Sequence, residues 1–287
     1  MIRAGPDSGG PHFNKTYVRS GGVMWDPTTY LRYGDERARP FHDLLARVPT
    51  TRPRAVVDLG CGPGTQTTIL AERWPGSRVT GIDAAPEMIE RAASLDSPVE
   101  FAVADVRHWR PGRDQDVVIS NSLLQWVPEH RDLLTRWARE LPAGAVLAVQ
   151  VPGNFDAPSH RALRTVANRP AWRTVLGPLL RAAPVDDAVG YARLLAAAGS
   201  AVDAWETSYV HLLPAPADAD HPVLSWMEGT ALRPVRAALD PTGWADFRRE
   251  LSVRLAEAYP VQQGQVYFPF RRVFFVARTA ARVEENL

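Results

Sequence analysis

The chain has 287 residues, 45% hydrophobic and 23% charged, which is ordinary globular usage and enough to bury a full core. Its formal net charge of +1 excludes the broad positive field that nucleic acid or an anionic membrane surface would call for. One cysteine, Cys61, excludes an internal disulfide and points to a reducing compartment, the cytoplasm, and neither a signal-peptide layout nor a membrane-length apolar run is present.

Residues 1–23 are rich in Gly, Pro and Ser and read as a disordered leader or a tag. Folded sequence is expected from Met24, with Asp26-Pro27 as a helix start and Tyr30 and Tyr33 three apart, followed by a helix over 39–48. An alternating part follows. Strands are expected at 54–59, 78–83, 99–103, 116–120 and 145–151, and helices at 65–73, 86–95 and 130–141. Short apolar strands alternating with helices make a parallel sheet covered on both faces. After Val151 the rhythm breaks. Residues 155–198 and 222–259 read as helical cap segments, separated by a strand at 202–213 and a linker at 214–221. A strand at 265–278 closes the domain, with Pro269 marking an edge or a bulge, and 279–287 is a tail. The reading is a single domain over 24–278.

Every candidate site residue falls at the carboxyl end of a strand, where ligands sit in such sheets. The first strand runs through Asp58 into Gly60-Cys61-Gly62-Pro63-Gly64 and then a helix. Glycines let backbone approach a ligand closely, and the free N–H groups of the helix start suit polar or anionic atoms. Cys61 reads as a small filler among them. Asp83 ends the second strand, where a carboxylate can accept both ribose hydroxyls of an adenosine. Asp105 follows the third strand and Asn121 the fourth. The glycine spacing is G-x-G-x-G, which is not the dinucleotide pattern, and no G-x-x-x-x-G-K-[ST] run exists to cradle a triphosphate. The only lysine is Lys15.

The segment Val57-Asp58-Leu59-Gly60-Cys61-Gly62-Pro63-Gly64, with Gly81-Ile82-Asp83 and Ala104-Asp105, resembles class I methyltransferases that use S-adenosylmethionine. Further stretches are similar to the trans-aconitate methyltransferases. They include Trp25-Asp26-Pro27, Ser120-Asn121-Ser122-Leu123-Leu124-Gln125-Trp126-Val127-Pro128, Ala148-Val149-Gln150-Val151-Pro152, Ala231-Leu232-Arg233-Pro234 and Phe268-Pro269 with Arg271-Arg272. This resemblance covers about residues 24–278. It implies a Rossmann-like α/β sheet of seven strands, mostly parallel with an antiparallel last strand, plus helical cap insertions. It implies S-adenosyl-L-methionine as cofactor, with Gly60, Gly62 and Gly64 beneath the methionine moiety and Asp58 near its ammonium group. Asp83 would take the ribose hydroxyls, Met88 would pack on the adenine, and Asp105 with Val106 would face the adenine amino group. Asn121 would line the methyl-transfer channel. From the residues alone, Met88 is equally a helix-core residue, Asp105 a turn former and Asn121 a strand-end cap.

The implied reaction gives a monomethyl ester of trans-aconitate or a close polycarboxylate. A carboxylate nucleophile is already ionised at neutral pH, so no general base and no metal is expected. Orientation and a water-poor site matter instead. Arginine forks suit the non-reacting carboxylates. The candidates are Arg233, Arg271 or Arg272 on the closing strand, and Arg37 or Arg39. Alternation lets only one of the closing-strand pair face the site, and Arg233, Arg271 and Arg39 form the expected clamp. Trp126, Tyr30, Tyr33, Tyr209 and His211 could supply walls or hydrogen bonds. The partner is then a small molecule, with no nucleic acid and no membrane; Asn121-Ser122-Leu123-Leu124 stands where a nucleic-acid methyltransferase would carry Asn-Pro-Pro and an aromatic. A different small O- or N-nucleophile and a non-catalytic cofactor-binding protein are the competing readings, and oligomeric state stays open.

Overall fold

The computed structural model describes residues 34–180 and 184–280. The leader, the Asp26-Pro27 start, Tyr30, Tyr33, the side chain of Arg37 and the tail from 281 lie outside the described residues. The first described helix, α1 (Gly34–Ala46), begins earlier than the expected 39–48 and carries Pro40 inside it. Phe41, Leu44, Leu45 and Val48, spaced on one helical stripe, are buried against the sheet, and that packing outweighs the hydrogen bond a proline forfeits.

The α/β alternation follows, with β1 (Ala55–Leu59), α2 (Thr65–Arg73), β2 (Arg78–Asp83), α3 (Pro86–Ala93), β3 (Glu100–Val103), β4 (Gln115–Asn121), α4 (His130–Glu140) and β5 (Val146–Pro152). The first cap segment holds α5 (Pro158–Ala167) and α6 (Arg173–Leu176), while α7 (Ala188–Ala197), expected within that segment, packs on the sheet instead through Tyr191 and Leu195. Strand β6 (Ser200–Pro214) leads to α8 (Pro222–Glu228), α9 (Arg233–Ala238), α10 (Pro241–Ala258) and β7 (Gln265–Thr279). The seven strands lie in the order β3-β2-β1-β4-β5-β7-β6. Strands β1 to β5 pair in parallel, and β7 is inserted antiparallel between β5 and β6. The expected seven-stranded, mostly parallel sheet with an antiparallel last strand is the observed one. Strand β1 is buried along its whole length, as its apolar run requires of a central parallel strand. The chain leaves β1 for β2 on one side and returns to β4 on the other, so the switch in strand order lies at the ends of β1 and β4.

Helices α1 and α2 cover one face of the sheet and α4 and α7 the other. One feature was not anticipated from the sequence. The β5–β7 pairing ends at Pro152 opposite Arg272, while the β6–β7 pairing runs on to Pro214 opposite Gln265. Residues 208–214 and 265–271 therefore form a two-stranded ribbon that projects beyond the carboxyl edge, about 20 Å at ~3.3 Å per residue. Pro269 lies in this ribbon, where β7 has β6 as its one strand partner, so its missing N–H breaks no ladder to β5. Leu213, Val266, Phe268 and Phe270 on the ribbon share a second core with α5, α8 and α10. The cap is thus built on the sheet's own extension.

Phe268 is 1% exposed and its ring packs against Trp226 and Tyr259. Phe268→Ala is expected to cost about 3–5 kcal/mol. The loss should register by amide hydrogen exchange as faster opening of α8 and α10, with β1 and β4 keeping their protection. Equal loss across the sheet would contradict a cap core separate from the sheet core.

Candidate functional site

The ends of β1 and β2 carry two carboxylates in different settings. Asp58, 3% exposed, accepts one hydrogen bond among the described residues, from Thr67 Oγ1 in α2 at 2.7 Å. Burial pushes its carboxyl up to about 7, against the opposing effect of Thr67. Asp83 accepts from Gly62 N at 2.9 Å through one oxygen and from Ala85 N at 2.9 Å through the other. Burial raises its pKa too, and these backbone donors pull it back. Asp83 therefore ties the glycine turn to the end of β2. The turn itself needs its glycines. Gly64 has φ +81°, and a Cβ there would meet Phe101 at 2.7 Å and Ala92 at 2.8 Å. Gly62 has φ +55°, but a Cβ there would meet nothing within 4 Å. A buried carboxylate with one donor, beside open space over a glycine turn, fits a cationic ligand. The residues present therefore suit the ammonium of S-adenosylmethionine. Cys61 is buried and burial raises its thiol pKa, so it fills space and is no nucleophile.

The other expected cofactor contacts divide. Met88 is 3% exposed within α3. Val106 is buried with the core on the α4 face. Asp105 makes its own turn, accepting from Arg107 N at 2.9 Å and pairing with the Arg107 guanidinium at 3.1 Å. Those are the contacts of a turn former, the second of the two sequence readings. Asn121 donates to Gln66 Oε1 at 2.8 Å, and its Oδ1 is buried with no hydrogen-bond partner among the described residues.

Beyond Asn121 the sheet carries a polar seam on the α1 and α2 face. Ser122 has φ +60°, a left-handed conformation unusual for a residue other than glycine. Its N–H donates to Gln150 O at 2.9 Å and its hydroxyl to Gln150 Oε1 at 3.0 Å. Arg272, 6% exposed, donates to the Ser122 hydroxyl at 3.0 Å and to Gln150 Oε1 at 3.4 Å. Gln150 is fully buried, and its Nε2 finds no hydrogen-bond partner among the described residues. Sequence reasoning placed none of these three in the expected clamp. A glutamine inside the apolar run Val146-Leu147-Ala148-Val149-Gln150-Val151 was the available signal.

Arg271, the expected member of the closing-strand pair, is on the opposite face. It donates to Gly153 O at 2.8 Å and pairs with Glu206 at 3.0 Å. The structure thus brings Arg272, not Arg271, to the seam, and strand alternation is the reason. Tyr209 is 3% exposed, donates to Asp43 Oδ2 at 2.5 Å and lies beneath the Arg39 guanidinium, 5.1 Å from the ring centre. Trp126 is 51% exposed on the turn after β4. Below that turn His130 donates from Nδ1 to Val127 O at 2.9 Å, and its Nε2 accepts from the Tyr191 hydroxyl at 3.0 Å. Arg233 starts α9, close enough to Glu87 of α3 to feel its charge, with burial working to lower its pKa. Between the Trp126 turn and the cap lies a cavity of about 180 Å³, lined by Trp126, Phe155, His160, Arg164, Leu180 and Pro234 among others. Burial, then Arg164, holds His160 near pKa 4, so it is neutral. No cluster of metal-ligating side chains exists among the described residues.

Asp58 supplies a test. Its folded pKa lies above that of a free carboxyl, so its contribution to stability is full at low pH and is lost as pH rises toward and through 7. Ligand-free Asp58→Asn is expected to melt about 2–4 °C above wild type at pH 8, with the gap narrowing toward pH 5. Its affinity for S-adenosylmethionine should fall about tenfold or more. A gap independent of pH would contradict a strained buried charge. Gly62→Ala is expected to fold at a cost of about 1–2 kcal/mol for the left-handed angle, yet to lose cofactor affinity by calorimetry; retained affinity would place the ligand elsewhere.

A family profile described as "Methyltransferase domain" matches residues 56–144. A trans-aconitate 2-methyltransferase from Mycobacterium sp. (strain KMS) is 55% identical over 263 residues, covering 89% of this chain and 100% of that protein. One from Rhodococcus jostii (strain RHA1) is 53% identical, covering 89% of this chain and 99% of that protein. Among solved structures, the YcgJ protein of Bacillus subtilis aligns with a TM-score of 0.56 at 12% identity, over 84% of this chain and 98% of its own, a likeness of fold alone. Sheet order, glycine turn and relatives agree: the chain belongs to the trans-aconitate 2-methyltransferase family, with a class I methyltransferase fold, and is a methyltransferase dependent on S-adenosylmethionine.

Proposed function

We propose that this enzyme methylates one carboxylate of trans-aconitate, or of a close polycarboxylate, to a monomethyl ester. The observation that carries the reading is the seam of Arg272, Ser122 and Gln150, at the carboxyl ends of β4 and β5 and the middle of β7. A buried guanidinium at that place suits a carboxylate ligand, and bidentate pairing adds orientation to attraction. The names of the relatives supply the acceptor.

When bound, S-adenosylmethionine would supply a sulfonium methyl to an ionised carboxylate oxygen by in-line displacement, the C–O bond forming as the sulfur–methyl bond breaks and S-adenosylhomocysteine leaves, with no proton to move. On this reading Asp58 holds the cofactor's ammonium group and Gly60, Gly62 and Gly64 pass beneath its methionine moiety. Asp83 takes the ribose hydroxyls, Met88 backs the adenine, and Asn121 lines the channel between donor and acceptor. Asp105 and Val106 shape the turn beside the adenine. Arg272 and Arg233 grip carboxylates other than the attacking one, because pairing the attacking oxygen would blunt it. Tyr209 with Arg39, and Trp126, wall the acceptor. The cap excludes water, which strengthens every charge interaction inside. No side chain acts as general base.

A second reading has one observation behind it. The cavity beside Trp126 has mostly apolar walls and one arginine, Arg164, which is occupied by Phe155 O at 2.6 Å and by Asp156. A less charged O- or N-nucleophile would suit that space. Transfer of labelled methyl to trans-aconitate, against cis-aconitate, citrate and water, separates the two. Ester formation well above those controls is expected, and no turnover would sink the polycarboxylate reading. Arg272→Met and Arg233→Ala should each raise KM for trans-aconitate about tenfold or more, the value of a lost charge-assisted hydrogen bond. Cofactor affinity should stay within about twofold. Equal losses for donor and acceptor would show these arginines to be structural.

A further inference from the structure

The face of the ribbon that meets the cap carries Tyr209 and His211 on β6 and, across from them on β7, Phe268, Phe270 and Arg272. His211 is 7% exposed and stacks on Trp226 of α8, with ring centres 4.7 Å apart at 29°. Phe270 meets it edge-on at 6.0 Å. Its Nε2 is buried, and no described residue gives that atom a hydrogen bond. Burial first, then the positive charges of Arg272 and Arg39, lowers its pKa to about 4, so the ring is neutral and has one N–H to give. The same two arginines act on Tyr209. Arg39 lies over the Tyr209 ring and Arg272 over the Phe270 ring, 4.5 Å from its centre, so both flank the His211 corner, in which Asp43 is spent on the Tyr209 hydroxyl.

Packing alone does not explain a histidine here. The cap core is already aromatic, with Trp226, Phe268 and Phe270 touching one another, and a phenylalanine would fill the same stack. A buried nitrogen without a partner is costly and is kept where a ligand supplies the partner. We propose that His211 is a specificity-determining contact of the acceptor site, its Nε2–H donating to a carboxylate other than the attacking one, in the corner where Arg39 and Arg272 supply positive charge. The inference rests on the polycarboxylate reading. A neutral donor between two cations suits a small acceptor with a third carboxylate, because it adds direction without adding repulsion between like charges.

The test compares wild type, His211→Phe and His211→Gln on trans-aconitate, Z-glutaconate, mesaconate and itaconate, the last three each lacking a different carboxylate of the first. His211→Phe keeps the stack on Trp226 and removes both nitrogens, and His211→Gln restores an N–H. For trans-aconitate, His211→Phe is expected to raise KM about tenfold or more, with kcat and the KM for S-adenosylmethionine within about twofold of wild type. His211→Gln should fall between the two. The penalty should vanish for whichever dicarboxylate lacks the carboxylate that His211 holds. An unchanged KM in His211→Phe, or in His211→Leu should the former fail to fold, overturns the inference, as does an equal penalty on all four acceptors. Failure of wild type to turn over trans-aconitate overturns the polycarboxylate reading and this inference together. Turnover with an insensitive His211 overturns the inference alone.

Discussion

A carboxylate buried with one hydrogen bond is the constraint on which this structure turns. Asp58 is the penultimate residue of a strand with no exposed residue, and among the described residues Thr67 of the following helix is its one hydrogen-bond donor. The fold bears that cost because β1 is central and cannot turn Asp58 outward without exposing Val57 or Leu59. The turn after it is shaped by backbone angles open to glycine and is tied by Asp83 to the next strand. A cation brought to Asp58 relieves the cost. On the proposed reading, ligand-free stability is thereby exchanged for affinity, as is common at sites that must hold charge.

The acceptor flank is built differently. There the sheet does not stop at its carboxyl edge, because β6 and β7 continue as a ribbon and the cap condenses on it. One strand therefore carries Phe275 in the sheet core, Arg272 at the polar seam and Phe268 in the cap core. Ser122 accepts a left-handed angle and is held there by Gln150, which places its hydroxyl under Arg272. The proposed donor and acceptor flanks meet at Asn121, bonded to Gln66 of α2 and adjacent to Ser122. Backbone strain and buried polar groups gather at this end of the sheet, where functional sites concentrate them.

The turn and acids of the proposed donor flank were legible in the sequence, and the polar seam of the proposed acceptor flank was not. Glycine spacing and the acids at strand ends are local signals, set by what one turn can do, so Asp58, Gly62 and Asp83 could be placed from their neighbours in the chain. Asp105 shows the limit of such signals, since the same residue type serves a turn, and here it holds Arg107. The acceptor flank depends on register between strands far apart in the chain. Alternation showed that Arg271 and Arg272 oppose one another, but only the pairing of Arg272 with Pro152 and Thr207 decides which faces the seam. Strand β6 was recognised, while its extension past β5 could not be, because strand ends do not reveal where a partner stops. His211 was visible as a strand residue, yet its unspent nitrogen exists only once Trp226 and Phe268 have closed around it.

The central claim is that donor and acceptor meet at the ends of β1 and β4, with the acceptor's spare carboxylates held from β7 and the cap. A crystal structure with S-adenosylhomocysteine and trans-aconitate tests it most directly. The account predicts the cofactor's ammonium at Asp58, its ribose at Asp83, and a carboxylate of trans-aconitate on the Arg272 guanidinium. Trans-aconitate seated instead in the cavity between Trp126 and His160, with Arg272 untouched, would contradict it.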